Sequence, residues 1–254
     1  EDTHALGPDQ QTLHPCMVYD AAGATLRGVG RYCSDFGSGS LSNSVFGSGS
    51  DGDLSIASLQ NVYTDDKRAA LASTVLAGQT VLTLVSNPGI SPNDEILIIQ
   101  MQGGGVGQYE FGRVAGVTGN QLTIQDGLVY AYTTGGVSRA QIIRVPQYRN
   151  LTIAESGKLL IHDWDGSTGG VLVFRASGLI TVAPGGCICG HLAGYHGTEG
   201  PNNSNGRGHQ GASINGMGTQ STVANDTGGG GGESPGYGNL GGGGGSGHAT
   251  AGEN

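Results

Sequence analysis

The chain has 254 residues, 51 of them glycine, with 12% charged residues and a formal net charge of −9. That balance excludes a nucleic-acid partner, which needs a basic face to meet phosphates. A membrane-spanning helix is excluded too, because the longest purely aliphatic run, Ile96–Ile99, falls far short of the ~18 apolar residues required.

Residues 1–50 are a Gly/Ser-rich N-terminal arm. Cys16 and Cys33 flank the glycine-bearing stretch AAGATLRGVG and are expected to be bridged to each other, which would confine the unfolded chain. Phe36-Gly-Ser-Gly-Ser40 recurs as Phe46-Gly-Ser-Gly-Ser50. This repeat reads either as a flexible linker or as an arm that anchors on a neighbouring molecule. The first residue is Glu, not Met, which fits a removed leader.

Residues 51–149 read as an antiparallel β domain. Val81 to Val85 alternates at period two, Glu95 to Gln100 is a nearly continuous apolar strand, and Thr118-Gly-Asn120 is a tight turn between two further strands. The order is that of a small barrel or sandwich, with Leu82, Leu84, Ile96, Ile98, Val114, Leu122 and Ile124 inside. The single place for a helix is Asp66 to Thr74. Gly103–Gly107 is followed by another strand, so it reads as a β-loop and not as a nucleotide cradle; no cofactor is expected.

Residues 150–184 pair Leu151–Ile161 with Leu172–Val182 at an offset of 21. Strand, Ser-Gly corner and strand suggest β-solenoid-like coils, with ordinary hairpins as the alternative. Residues 185–254 form a glycine-rich region holding Gly228–Gly232 and Gly241–Gly245. The fold class is therefore mainly β: a barrel or sandwich, then short coils, then glycine.

Candidate chemistry is sparse. Cys187-x-Cys189-x-His191, with His196 and His209, has metal-ligand residue types at an unusual spacing. Disulfides or a surface histidine cluster fit better, and Cys187 and Cys189 should pair with each other only in a sharp turn. Asp163-Trp-Asp165 starts like a calcium loop but lacks its closing Glu. Asn150, Asn202 and Asn225 stand in glycosylation patterns. A polysaccharide-cleaving β-helix enzyme would have only Glu155, Asp163, Asp165, Lys158 and Arg175 to work with, so no catalytic residue is assigned.

Several motifs carry a resemblance: Gly78-Gln-Thr-Val-Leu-Thr-Leu84, Asn93 to Met101, Gly107-Gln-Tyr-Glu-Phe111, Trp164 to Gly178 and Gly241 to Gly252. With these the chain resembles secreted bacterial glycine-rich surface proteins. The resemblance implies an extracellular location more than an activity. The expected function is an extracellular structural protein that self-assembles into a surface filament, with itself as partner. The alternative is a carbohydrate-binding or adhesive surface module, including a phage-type adhesin, with glycans as partner.

Overall fold

The computed structural model describes residues 46–191, 193–195 and 211–216, and the backbone alone of 16–19 and 26–29. These segments hold fifteen strands, β1 to β15, and no helix. Strands β1 (Cys16–Tyr19) and β2 (Leu26–Val29) pair antiparallel, with Cys16 opposite Val29. The expected bridge to Cys33 lies outside the described residues.

Six strands form one antiparallel sheet: β5 (Arg68–Ala70), β6 (Val81–Thr83), β7 (Glu95–Gln102), β8 (Tyr109–Thr118), β9 (Gln121–Ile124) and β10 (Arg139–Arg144). Their spatial order is β5-β10-β7-β8-β9-β6. The sheet curls until its two edges meet. Ala72 N donates to Thr83 O at 2.8 Å and Val85 N to Ala70 O at 3.0 Å, around a bridge between Leu71 and Leu84. Bulges in the β7–β10 and β8–β9 ladders supply the extra twist that curling needs. All seven residues expected inside are buried in this core, joined by Val75, Leu128, Tyr132 and Ile142. Asp66–Thr74 is not a helix. Arg68–Ala70 pairs with β10 and buries Ala69, and Leu71 lies two residues on in the same core. A half-buried ladder here outweighs helix propensity.

The coils are real and parallel, and they take in residues on both sides of the barrel. Strands β3 (Gly52–Ile56) and β4 (Asn61–Tyr63) make the first coil. Strands β11 (Gln147–Ile153) and β12 (Lys158–Leu160) make the second. The third is β13 (Arg175–Ala176), β14 (Ile180–Val182) and β15 (Cys187–Cys189). Leu54 pairs with Leu151 and Leu151 with Ile180; Asn61 pairs with Lys158 and Lys158 with Cys187. Partners in β14 and β15 thus follow their second-coil residues by 29 positions and those in β13 by 28, not by 21. The barrel is an excursion between the first coil and the second.

The true repeat is visible once the register is known. Leu54-Ser-Ile-Ala57, Leu151-Thr-Ile-Ala154 and Ile180-Thr-Val-Ala183 stack, each followed by a tight corner. The corner closes the same way three times, from Gln60 N to Ala57 O, Gly157 N to Ala154 O and Gly186 N to Ala183 O. Its third residue has positive φ in each coil: Leu59 at 63°, Ser156 at 59° and Gly185 at 76°. Only the last coil places glycine where the turn requires it. Ile56, Leu151, Ile153 and Leu159 form the coil core.

Two outcomes follow. Ile98→Asp should put an unpaired charge in the barrel core and unfold the protein, seen as loss of the cooperative urea transition. Leu59 is 82% exposed, so it gains little from burial at its strained φ. Leu59→Gly should therefore raise stability by roughly 0.5–1 kcal/mol, the relief of left-handed strain less the added unfolded-state entropy.

Candidate functional site

Polar clamps fix the barrel to the coils. Glu95, at the start of β7, accepts from Arg175 Nε and Nη2 at 2.8 and 2.7 Å and from Gln147 Nε2 at 2.7 Å. Arg144, at the end of β10, bonds Asp94 at 2.7 Å and forks onto Asp51 at 2.9 and 2.6 Å. Burial alone would raise the Asp51 carboxyl. Hydrogen bonds from Arg144 and from Gln147 N, with the charges of Arg144 and Lys67, outweigh it and hold the group below its ordinary value. On the coil surface Arg149 forks onto Asp53 and, with Asn150, lowers that carboxyl to about 2.

The loop from β12 to β13 lies over the outer face of the barrel. Gly169 N donates to Gln141 Oε1 at 2.9 Å, and Gln141 Nε2 returns a bond to Gly169 O at 2.8 Å. Gly169 has φ 96°, and a Cβ there would stand 2.3 Å from Asp163 O, so only glycine lets the loop dock. Trp164 precedes this contact and is fully buried, with its indole N–H unpartnered among the described residues. It packs edge-on against Tyr195 at 6.0 Å, and the Tyr195 hydroxyl donates to Met101 O. Burial pushes the Tyr195 hydroxyl pKa up.

A cleft of about 310 Å³ opens between loop and barrel, at the small end of the range of ligand pockets. Ile99, Met101, Val106, Trp164, Val171 and Tyr195 line it. Strand register extends this face: Tyr109 sits opposite Ile99 and Phe111 opposite Leu97. The two rings meet edge-on at 6.2 Å, and the Arg175 guanidinium lies 4.8 Å over Phe111. Tyr109 is 57% exposed, Phe111 44% and Tyr195 36%. Three accessible aromatic rings therefore share one surface along the seam of barrel and coils.

The sequence candidates fall elsewhere. Cys187 and Cys189 are bonded to each other inside β15, with Cα atoms 5.6 Å apart. That is closer than the ~6.5–7 Å of a fully extended chain, so the strand is pinched where a sharp turn was expected. Asp165 spends its carboxylate on the N–H groups of Ser167 and Thr168, both at 2.8 Å. Asn150 donates to Asp53 and accepts from Leu179 N, each at 2.9 Å. His196, His209, Asn202, Asn225 and Phe36 lie outside the described residues. Phe46–Ser50 lies against the second and third coils of its own chain: Ser48 N donates to Gln147 Oε1, and a Cβ at Gly47 would meet Gln147 and Arg175.

Sequence reasoning missed the aromatic seam and a buried pair. Asp65 is fully buried and accepts from His162 N at 3.0 Å and Nδ1 at 2.9 Å, while Tyr63 stacks on the imidazole. This pair ties the second coil to the strand that enters the barrel. The signal for the seam was Tyr109-x-Phe111, two large aromatics at period two on the face that a small barrel turns outward.

No protein-family model and no curated protein sequence matches the chain. Three solved structures are similar over part of it. The tailspike gp49 of Pseudomonas phage LKA1 shares 18% identity over 49% of this chain and 23% of its own, with a TM-score of 0.27. The gp54 tailspike of Acinetobacter baumannii bacteriophage AP22, in complex with a capsular saccharide, shares 16% over 53% and 23%, with a TM-score of 0.30. The tailspike gp61 of Pseudomonas phage phi297 shares 12% over 54% and 25%, with a TM-score of 0.28. The chain spans about a quarter of the length of each.

The clamps set a pH response. Asp51 and Asp53 have folded pKa values below their unfolded ones. Their contribution is complete at neutral pH, begins to fade below about pH 4 and is lost as pH falls through the folded values. The thermal midpoint should drop over that range, and the drop should shrink in Asp51→Asn. Glu95→Gln should cost about 3 kcal/mol by removing the carboxylate from its partly buried ion pair with Arg175.

Proposed function

We propose that the chain is an extracellular attachment module that binds glycans along the seam between barrel and coils. The observation that carries this reading is the row of exposed rings, Tyr109, Phe111 and Tyr195, beside a preformed cleft. Soluble proteins seldom leave large aromatics clustered in water without a use. A pyranose presents an apolar C–H face that stacks on such rings, and its hydroxyls find partners at the rim. The polar clamps and the docked loop fix the rings in advance, so little ordering entropy remains to be lost on binding. The Cys187–Cys189 disulfide suits an oxidising compartment. Among the described residues no helix is long and apolar enough to cross a membrane.

Self-assembly, the other expectation, has less support. The described part of the Gly-Ser arm, Phe46–Ser50, is laid on the second and third coils of its own chain.

A glycan array probed with the full chain, followed by calorimetry on any hit, tests the reading. Tyr109→Ala and Phe111→Ala each remove an exposed ring without touching the barrel core. Each should weaken binding by about tenfold, near 1.4 kcal/mol. Failure to retain any glycan, or affinity indifferent to both substitutions, would overturn the proposal. Glycan cleavage abolished by Asp163→Ala would replace it with an enzymatic reading.

A further inference from the structure

The Cys187–Cys189 bridge takes no part in the seam or the clamps, and its place in the fold is unlike that of a staple. It joins residues at a sequence separation of 2. A loop that short removes little entropy from the unfolded chain, so the bridge adds little to the hold of the third coil. The coil is held by its ladder. Cys187 pairs with Lys158, Ile188 with Leu159 and Cys189 with Leu160, and Ile188 turns inward beside the fully buried Leu159. Alternation along β15 then sends both cysteines to the outer face, where each is half-buried and open to solvent. Strand β15 is also an edge, bonded among the described residues to β12 alone. A small molecule can therefore reach the bridge.

The two sulfurs are not equivalent. Cys187 shares its row on the outer face with Lys158 and Asn61. Lys158 is exposed and makes no ion pair among the described residues. Cys189 shares its row with Leu160 and Tyr63. A cation beside a thiolate stabilises it, and a disulfide opens faster when the sulfur that leaves is the better-stabilised thiolate. Cys187 is thus the leaving sulfur and Cys189 the one attacked.

We propose that Cys187–Cys189 is a thiol–disulfide exchange site for low-molecular-weight thiols. The thiolate of such a molecule attacks Cys189 Sγ. A bond forms between the incoming sulfur and Cys189, the Cys187–Cys189 bond breaks, and its electron pair stays on Cys187 Sγ as a thiolate beside Lys158. A second thiolate then attacks the sulfur of the bound molecule. That step releases the small disulfide and leaves Cys189 as a thiolate, which takes a proton from water. The chain has gained two electrons and the small thiols have lost them. Return attack by Cys187 on Cys189 Sγ instead expels the first thiol and restores the bridge.

The test incubates the oxidised full chain with reduced glutathione at neutral pH, traps free thiols with N-ethylmaleimide and maps the peptides by mass spectrometry. Glutathione should appear on Cys189, with Cys187 alkylated. Lys158→Gln should slow adduct formation by roughly threefold or more, and Lys158→Arg should restore the rate. Both change an exposed side chain, and an unchanged urea midpoint confirms that they fold. The double variant Cys187→Ser with Cys189→Ser should also keep the midpoint of the native chain; a large fall would make the bridge a staple and overturn the proposal. An adduct on Cys187, a rate indifferent to Lys158→Gln, or a bridge left intact by glutathione that reduces hydroxyethyl disulfide in the same solution would each overturn it as well.

Discussion

Everything rests on one ladder. Strand β11 pairs in parallel with β3 on one side and with β13 and β14 on the other. Parallel pairing stacks like residues at a fixed register, so a single apolar column, Ile56-Ile153-Val182, fixes the coil. A slip of one residue would turn Leu151 and Ile153 to water and Thr152 inward. The residues just before and within this strand also hold the clamps, because Arg144, Gln147 and Arg149 all reach carboxylates of the first coil or the barrel. Register therefore sets both the core and the electrostatics of the joint.

The seam follows from that joint. The barrel turns Leu97, Ile99 and Met101 outward on β7, and a small barrel alone would leave them wet. The loop between the second and third coils covers part of this face, with Gly169 and Gly170 admitting the close approach. Where the cover stops, Tyr109 and Phe111 begin. The exposed aromatics are thus the uncovered margin of an otherwise buried interface, which is where binding clefts tend to form.

Much of the barrel was legible in the sequence, because antiparallel strands with one face in a core alternate at period two. Leu82, Leu84, Leu122 and Ile124 announce themselves in that way. The coils were legible only in part. Leu151 to Ile161 looks like Leu172 to Val182 by composition, yet ladder pairing aligns Leu151 with Ile180. The first coil was hidden, because its partner lies 97 positions away and no local pattern marks so distant a pairing. Asp66–Thr74 misled through helix-forming alanines that the β10 edge recruits as a strand. The Asp65–His162 pair was invisible for the same reason, since its residues stand 97 positions apart, whereas the seam left one trace in Tyr109-x-Phe111.

The excursion of the chain between its first and second coils has a cost in chain entropy. Joining Leu54 to Leu151 closes a far longer loop than joining Leu151 to Ile180, a difference of about 1 kcal/mol for a flexible chain. The barrel removes most of that penalty. Its entrance and exit are tied by a bond from Arg144 N to Lys67 O at 2.9 Å. Once the barrel exists, the long loop behaves as a short one, and Asp51 already faces Arg144 as the coil strands align. The barrel is in this sense a splint: it converts a remote pairing into a local one and lets a solenoid of few turns close.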